Sequence, residues 1–146
     1  MGNFNKTPNN NAQAPSVMNA AKQAFSQAGF NPSWITSGAD NTLADFADKM
    51  GDAMVKGELT NSKIRNVYGE IKRIQMGGFE KNKSSFYLLR PKVAYAVGRD
   101  KNNVGLNLFK EVFDEAVKYV KDDRTFHNFC NLMEAILAYH KAHGGK

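Results

Sequence analysis

Residues 60–78, TNSKIRNVYGEIKRIQMGG, are the stretch of this sequence that decides its fold class. Apolar side chains recur here at intervals of three and four residues, which places them on one face of an α-helix; they are Ile64, Val67, Tyr68, Ile71 and Ile74. Thr60 is a residue type that often caps a helix N-terminus. Gly77-Gly78 is typical of a helix end. The stretch therefore predicts one amphipathic helix with a defined start and end.

The same spacing continues on both sides of this helix. Apolar residues at helical intervals predict further helices over residues 41–56, 84–98, 106–120 and from Asp123 or Thr125 onward. Residues 79–85 are expected to form a basic loop, and Pro91 predicts either a kink in the following helix or its start near residue 90. The alternating pattern of a β-strand appears nowhere in the sequence. We therefore expect an all-α fold, a compact bundle of about five helices over residues 41–146.

Residues 1–40 differ in composition and are expected to form an N-terminal extension that is poorly ordered in part. Residues 1–15 contain five Asn and two Pro, a composition typical of disorder. A short helix is possible over residues 16–28. Its apolar face is mostly alanine, which buries little area, so this helix needs a partner surface to become ordered.

The bulk composition indicates a soluble, cytoplasmic, single-domain protein. The chain has 146 residues, of which 42% are hydrophobic, enough to bury a core. Its single cysteine, Cys130, excludes an internal disulfide and fits a reducing compartment. No apolar run approaches the length of a membrane span, and residues 1–15 lack the pattern of a secretory signal. We expect no membrane partner.

The positive charge is concentrated in one segment. Residues 60–101 contain ten Lys or Arg and three acidic residues, whereas the rest of the chain has ten basic and eleven acidic residues. Clustered Lys and Arg give a protein its affinity for phosphates. Nucleic acid is therefore the first partner to consider.

The direction of these cations on their helices suggests where a strand would bind. At 100° per residue, Arg65 and Lys72 lie on one flank of the apolar face of their helix and Lys63 on the other. On the next helix, Lys92, Tyr95 and Arg99 share a face. A tyrosine between two cations suits single-stranded nucleic acid, because the ring can stack a base while the cations hold phosphates. The alternative is ordinary solvated charge at the border of a core.

Two further interpretations stay open. Residues 43–55, the turn Lys56–Leu59 and residues 60–76 could form the helix-turn-helix of a DNA-binding regulator, although a plain helical hairpin has the same pattern. The basic segment could also belong to a helical adaptor that binds an acidic protein.

Signals for catalysis or a bound metal are poor. His140 and His143 lie three residues apart in the last predicted helix, but no third ligand has a matching spacing. Asp122-Asp123 fits a helix start, where acidic residues are favoured. Gly77-Gly78 lacks the sequence context of a phosphate-binding loop. We expect no catalytic residue, no metal and no cofactor.

Three segments together resemble a known family. They are Leu59–Arg65 (LTNSKIR), Leu89–Arg99 (LRPKVAYAVGR), and Phe126–Phe129 (FHNF) followed by Glu134–Tyr139 (EAILAY). In this order and spacing they resemble the small subunit of the type III-A CRISPR effector (Csm) complex. The resemblance covers roughly residues 41–146 and leaves residues 1–40 outside.

The resemblance implies a non-catalytic RNA-binding role. Such subunits stack in several copies within a crRNA-guided complex, contact other Csm subunits and hold the target RNA by its backbone without reading its sequence. Base pairing then supplies specificity while the protein supplies charge. The matching cations are Lys63, Arg65, Arg90, Lys92 and Arg99; Lys72 is added from its position on the helix. We expect these six to form one cationic surface built from two neighbouring helices.

Overall fold

The computed structural model describes residues 13–146, with side chains from residue 16 onward. Within this range the chain forms eight α-helices and no strand: α1 Gln13–Ala28, α2 Ser33–Thr36, α3 Asn41–Lys56, α4 Asn61–Gly77, α5 Lys83–Tyr87, α6 Leu89–Arg99, α7 Val104–Ala116 and α8 Asp123–Ala142. The all-α class is confirmed. The number of helices exceeds the expected five. Disorder was expected for residues 1–15; residues 1–12 lie outside the described residues, whereas residues 13–15 belong to α1, so the expectation was wrong for these three.

One extra helix lies where a basic loop was expected. Residues 79–85 contain a 3₁₀ turn, Glu80–Asn82, and the start of α5. Phe79 and Phe86 bracket this segment, and both side chains are buried against Phe126 of α8, with ring centroids 5.3 and 5.6 Å away. Because these aromatic side chains fix both ends of the segment, it cannot extend as a solvated loop. The loop prediction was therefore wrong.

Pro91 marks the start of a helix and not a kink within one. The chain breaks at Leu88, between α5 and α6, so Pro91 is the third residue of α6. Backbone N–H groups in the first turn of a helix have no partner within the helix, so the N–H that proline lacks is not missed there. Of the two alternatives that the sequence left open, the start near residue 90 is the one observed.

The packing of α3 against α8 forms the centre of the molecule. Gly51 lies at this contact, where an added Cβ atom would be 2.6 Å from the backbone nitrogen of His140. Helix α8 begins with a capping box: Asp122 accepts a hydrogen bond from the Thr125 N–H at 2.8 Å, and the Thr125 hydroxyl accepts one from the Asp122 N–H at 3.0 Å. Asp122 therefore has the helix-start role that the sequence predicts.

Side chains that precede residue 41 contribute to the same core. Trp34 of α2 is 2% exposed, and its ring lies 5.0 Å from that of Phe46 in α3. Helix α1 packs mainly against α7 and includes residues 16–28, where a short helix was expected to need a partner surface. The core thus extends upstream of the expected start of the bundle domain, while the division of the chain at residue 40 stays a prediction.

Helices α4 and α6 pack beside each other at the surface. Ile64, Val67, Ile71 and Ile74 of α4 are buried, as are Leu89 and Val93 of α6. The exposed side chains of α4 and α6 point either into the space between the two helices or away from it, on the outer sides of the pair. This packing places the basic segment around a surface groove.

Candidate nucleic-acid interface

An open groove of about 930 Å³ runs between α4 and α6 and contains part of the basic segment. Its residues are Ser62, Lys63, Asn66, Val67 and Glu70 of α4, Pro91, Lys92, Tyr95, Ala96 and Arg99 of α6, and Asp100 and Leu106 beyond them. We call this the α4–α6 groove. Its rim is polar and charged, whereas Val67 and Leu106 at its floor are buried apolar side chains.

Three of the six predicted cations meet in this groove. Lys63 comes from α4, and Lys92 and Arg99 come from α6. Tyr95 lies between the two cations of α6, and the Arg99 guanidinium carbon is 5.8 Å from the centre of its ring. Over residues 13–146, neither Lys92 nor Arg99 forms an ion pair within 4.0 Å. These two cations are therefore available to an anionic ligand.

Two carboxylates share the groove with the cations. The Asp100 carboxylate forms an ion pair with Lys63, at 2.7 Å between Oδ2 and Nζ. Glu70 accepts hydrogen bonds from Arg73 at 2.6 and 3.1 Å, and these bonds lower the pKa of Glu70. A phosphate that enters the groove must compete with Asp100 for Lys63.

Asp100 and Glu70 were not among the site residues predicted from the sequence. The signal for Glu70 was present, because a residue seven positions after Lys63 lies on the same flank of a helix. Asp100 follows Arg99 directly, but it lies beyond the end of α6, where helical spacing no longer applies.

Arg65 and Lys72 lie outside the groove. Lys72 forms an ion pair with Glu134 of α8 at 2.9 Å, and its ammonium group is 5.7 Å from the centre of the Tyr68 ring. The hydrogen bond to Glu134 raises the pKa of Lys72. Arg65 is exposed, and the helical rotation of α4 places it on the flank of Lys72 and away from Lys63.

Arg90 lies on another surface again. It lines a second, shallower concavity with Tyr87 and with the Lys110–Asp114 ion pair of α7. The six cations therefore do not form the single surface that we expected from the sequence. Successive residues of α4 and α6 point in directions about 100° apart, so the cations of one helix leave it on different sides. Lys72 then contacts Glu134 of α8, and Arg90 lies beside Lys110 and Asp114 of α7.

The two histidines that the sequence singled out make contacts within the fold. His140 is buried, and its Nε2 atom is hydrogen-bonded to the Leu59 carbonyl oxygen at 2.7 Å. His143 contacts Asp48 at 2.5 Å, so the two histidines face different partners. Burial raises the pKa of Cys130 to about 12, which keeps its thiol protonated near neutral pH. Asp48 and Asp52 of α3 both lie near His143.

Two further findings concern the described part of the chain. Over residues 13–146, no group of three or more His, Cys, Asp or Glu side chains could hold a metal ion. In the same range, no helix combines the length and the apolar character that crossing a membrane requires.

The groove, with its cations, exposed tyrosine and apolar floor, is suited to binding an anionic polymer.

Comparison with known families gives a match over most of the chain. The model of a family described as Csm2 Type III-A matches residues 38–146. This stretch contains α3 to α8 and therefore the whole α4–α6 groove.

A curated protein also matches part of the chain. A Streptococcus thermophilus protein described as "CRISPR system Cms protein Csm2" is 41% identical over 58 residues. The match covers 40% of this chain and 47% of the relative, so it spans about half the length of that protein. No solved structure matches the chain.

Proposed function

The chain belongs to the Csm2 type III-A family, the small subunits of the type III-A Csm complex, and from this we propose that it is a non-catalytic subunit that holds target RNA. In this proposal the subunit acts within a crRNA-guided ribonucleoprotein in the cytoplasm. It binds the sugar-phosphate backbone of the single-stranded target without reading its sequence. Base pairing with the crRNA supplies the specificity.

The α4–α6 groove is the observation that carries the proposal. Lys63, Lys92 and Arg99 line it from two helices, and the latter two form no ion pair within 4.0 Å among residues 16–146. Clustered cations bind phosphates in proportion to the counterions that they release, whatever the base sequence. A strand lying along this groove would contact all three.

Arg65, Lys72 and Arg90 have a secondary part in the proposal. They lie on other surfaces, and Lys72 is already paired with Glu134. In the proposal these three residues contact a part of the RNA that lies beyond the groove, or RNA that is held by a neighbouring subunit. Loss of any one of these three should therefore weaken binding less than loss of a groove cation.

The partners in this proposal are RNA and protein. They are the target RNA, the crRNA-containing complex, other Csm subunits and further copies of this chain stacked beside it. Support comes from the family to which the chain belongs and from the name of the S. thermophilus relative, which describes a CRISPR system protein.

The packing of α3 and α4 does not favour a helix-turn-helix regulator. The paired helices of that motif pack against each other, whereas α3 packs mainly on α8 and α7, and α4 mainly on α6. Lys63, near the start of the would-be recognition helix, is turned toward Asp100. The family match likewise points to a different function.

Titration of labelled RNA at several salt concentrations tests the proposal. We expect the full chain to bind a single-stranded RNA with similar affinity whatever its sequence, and to bind duplex DNA more weakly. If the groove neutralises three phosphates, the slope of log affinity against log salt should be about −2 on a single strand. A preference for one duplex DNA sequence that survives at high salt would contradict the proposal.

A matched pair of double variants locates the interface. Lys63→Glu with Arg99→Glu should weaken RNA binding by at least about tenfold, because it replaces two groove cations by anions. Lys49→Glu with Lys141→Glu makes the same change in net charge at exposed positions outside the groove. Circular dichroism checks that both variants keep their helices. Equal loss of affinity in the two would show that only net charge matters and that the groove is not the interface.

A further inference from the structure

We propose that Tyr95 and Arg99 form a stacking platform for one unpaired nucleobase of the bound RNA. This inference rests on the proposed function, since it concerns the same groove. It adds a base-contacting residue to a site otherwise described by its charges. It also predicts that the groove distinguishes an unpaired base from one enclosed within a duplex.

The exposure of Tyr95 is the first argument. Tyr95 lines the groove with 68% of its surface exposed, although the opposite face of α6 is firmly buried at Leu89 and Val93. Within residues 16–146 no other aromatic ring packs on Tyr95, whereas Phe30, Trp34 and Phe46 all pack against one another. The ring therefore projects from a well-packed helix and is open to a ligand.

The position of Arg99 is the second argument. Its guanidinium lies near the Tyr95 ring, at 5.8 Å from the ring centre. Such a contact restricts both side chains and presents a planar cation next to an aromatic face. Tyr87, the other strongly exposed tyrosine of the described chain, is 58% exposed but packs edge-on against Phe86, without a cation over its ring. The arrangement at Tyr95 is thus not a general property of exposed tyrosines here.

The order of residues along α6 is the third argument. Lys92 and Arg99 are seven residues apart, which corresponds to about 10 Å along a helix, and Tyr95 lies between them. Two phosphates held by these cations would leave an intervening base beside the ring. The floor of the groove, with Val67, Ala96 and Leu106, is apolar and suits the face of a base or a sugar better than a phosphate.

A strand without bases separates stacking from charge. The full chain is titrated with a single-stranded RNA and with a fully abasic ribose-phosphate strand of the same length, at the same low salt concentration. We expect the unaltered chain to bind both strands and to prefer the RNA. Tyr95→Ala should weaken RNA binding by about fivefold to tenfold, near the lower end of measured base–aromatic stacking effects, and leave the abasic strand unaffected.

Two control variants sharpen this test. Tyr95→Phe keeps an aromatic ring and should retain the preference for RNA. Met18→Ala removes an exposed apolar side chain of α1, which has no part in the proposed RNA contacts, and should change neither affinity. Circular dichroism should show unchanged helicity, because Tyr95 and Met18 both lie at the surface.

The remaining outcomes distinguish the two proposals. If Tyr95→Ala weakens both strands equally, or neither, while the Lys63/Arg99 double variant weakens binding by at least about tenfold, the stacking platform is wrong and the groove assignment stands. If the unaltered chain binds neither strand, the proposed function fails and the platform fails with it. Binding of duplex RNA as tight as that of the single strand would also overturn the platform, because bases enclosed within a duplex are covered on both faces by their neighbours and cannot stack on a side chain.

Discussion

Asp100 is the residue that most directly limits how the groove can work. Its carboxylate is 2.7 Å from the Lys63 ammonium group, and both side chains are about one-third exposed. An ion pair at this degree of exposure contributes little to stability. It nevertheless occupies the cation that a phosphate would otherwise contact, so under the proposed function Asp100 competes with RNA for Lys63.

Asp100→Asn should therefore increase RNA affinity. Asparagine keeps the size of the side chain but cannot form an ion pair, which leaves Lys63 free for a phosphate. We expect about twofold to fivefold tighter binding at low salt, with a smaller gain at high salt, where charges are screened. Fluorescence anisotropy with a labelled single-stranded RNA measures the change.

Asp45→Asn serves as the control for this prediction. Asp45 is exposed on α3, away from the groove, and its substitution changes the net charge by the same amount. An equal gain in both variants would mean that overall charge, and not release of Lys63, explains the effect. A loss of affinity in Asp100→Asn would contradict the competitor role.

At the scale of elements, the crossing of α3 and α8 holds the bundle together. An added Cβ atom at Gly51 would lie 2.6 to 2.8 Å from the backbone and Cβ atoms of His140 and Tyr139. Backbone atoms of a helix cannot move aside as a flexible side chain can, and His140 is also held by its hydrogen bond with the Leu59 carbonyl oxygen. The two helices therefore approach this closely because residue 51 has no side chain.

Gly51→Ala should destabilise the protein despite the better helix propensity of alanine. Propensity favours alanine by up to about 1 kcal/mol, but overpacking at such a contact typically costs about 1–3 kcal/mol and the atoms concerned belong to backbone. We expect a net loss of about 1–2 kcal/mol. Urea denaturation followed by circular dichroism measures it.

Gly69→Ala is the matched control in α4. Nothing lies within 4 Å of the position that its Cβ atom would take, so only propensity acts there. This variant should be stabilised by up to about 1 kcal/mol. If both variants were stabilised, the close helix crossing at Gly51 would be disproved.

For the whole molecule, the main feature is that cations are spread over several surfaces. The groove holds three of the six predicted cations, the flank beside α8 holds Arg65 and Lys72, and Arg90 lies near α7. A lone chain that bound one short segment of RNA would need only the first group. In the proposed function, the neighbouring subunits of the assembly also hold RNA. Cations on several sides of this chain are consistent with such a subunit.

Copies of the chain should therefore bind together on long RNA. A strand three times as long as the shortest one that binds should take up several copies and give a steeper binding curve, because bound neighbours add contacts to one another. Sedimentation velocity measures the number of copies per strand. A single copy on every strand, whatever its length, would contradict stacking of this subunit along its target.

Local sequence patterns predicted the helices better than they predicted the loops between them. The start of α8 at Asp122-Asp123 and the end of α4 at Gly77-Gly78 follow from capping preferences, which depend on a few neighbouring residues. Residues 79–85 were misjudged because Phe79 and Phe86 are held by Phe126, about forty residues downstream. Such a contact leaves no local signal.

By itself, the sequence determined the all-α class, the buried face of each long helix and the segment that carries the positive charge. These are local properties, because helical periodicity and composition can be read within one stretch of chain. The tertiary structure alone decided that Lys63 meets Lys92 and Arg99 while Lys72 pairs with Glu134. These partners lie 29 to 62 residues apart, and only the rotation and packing of whole helices brings such residues together.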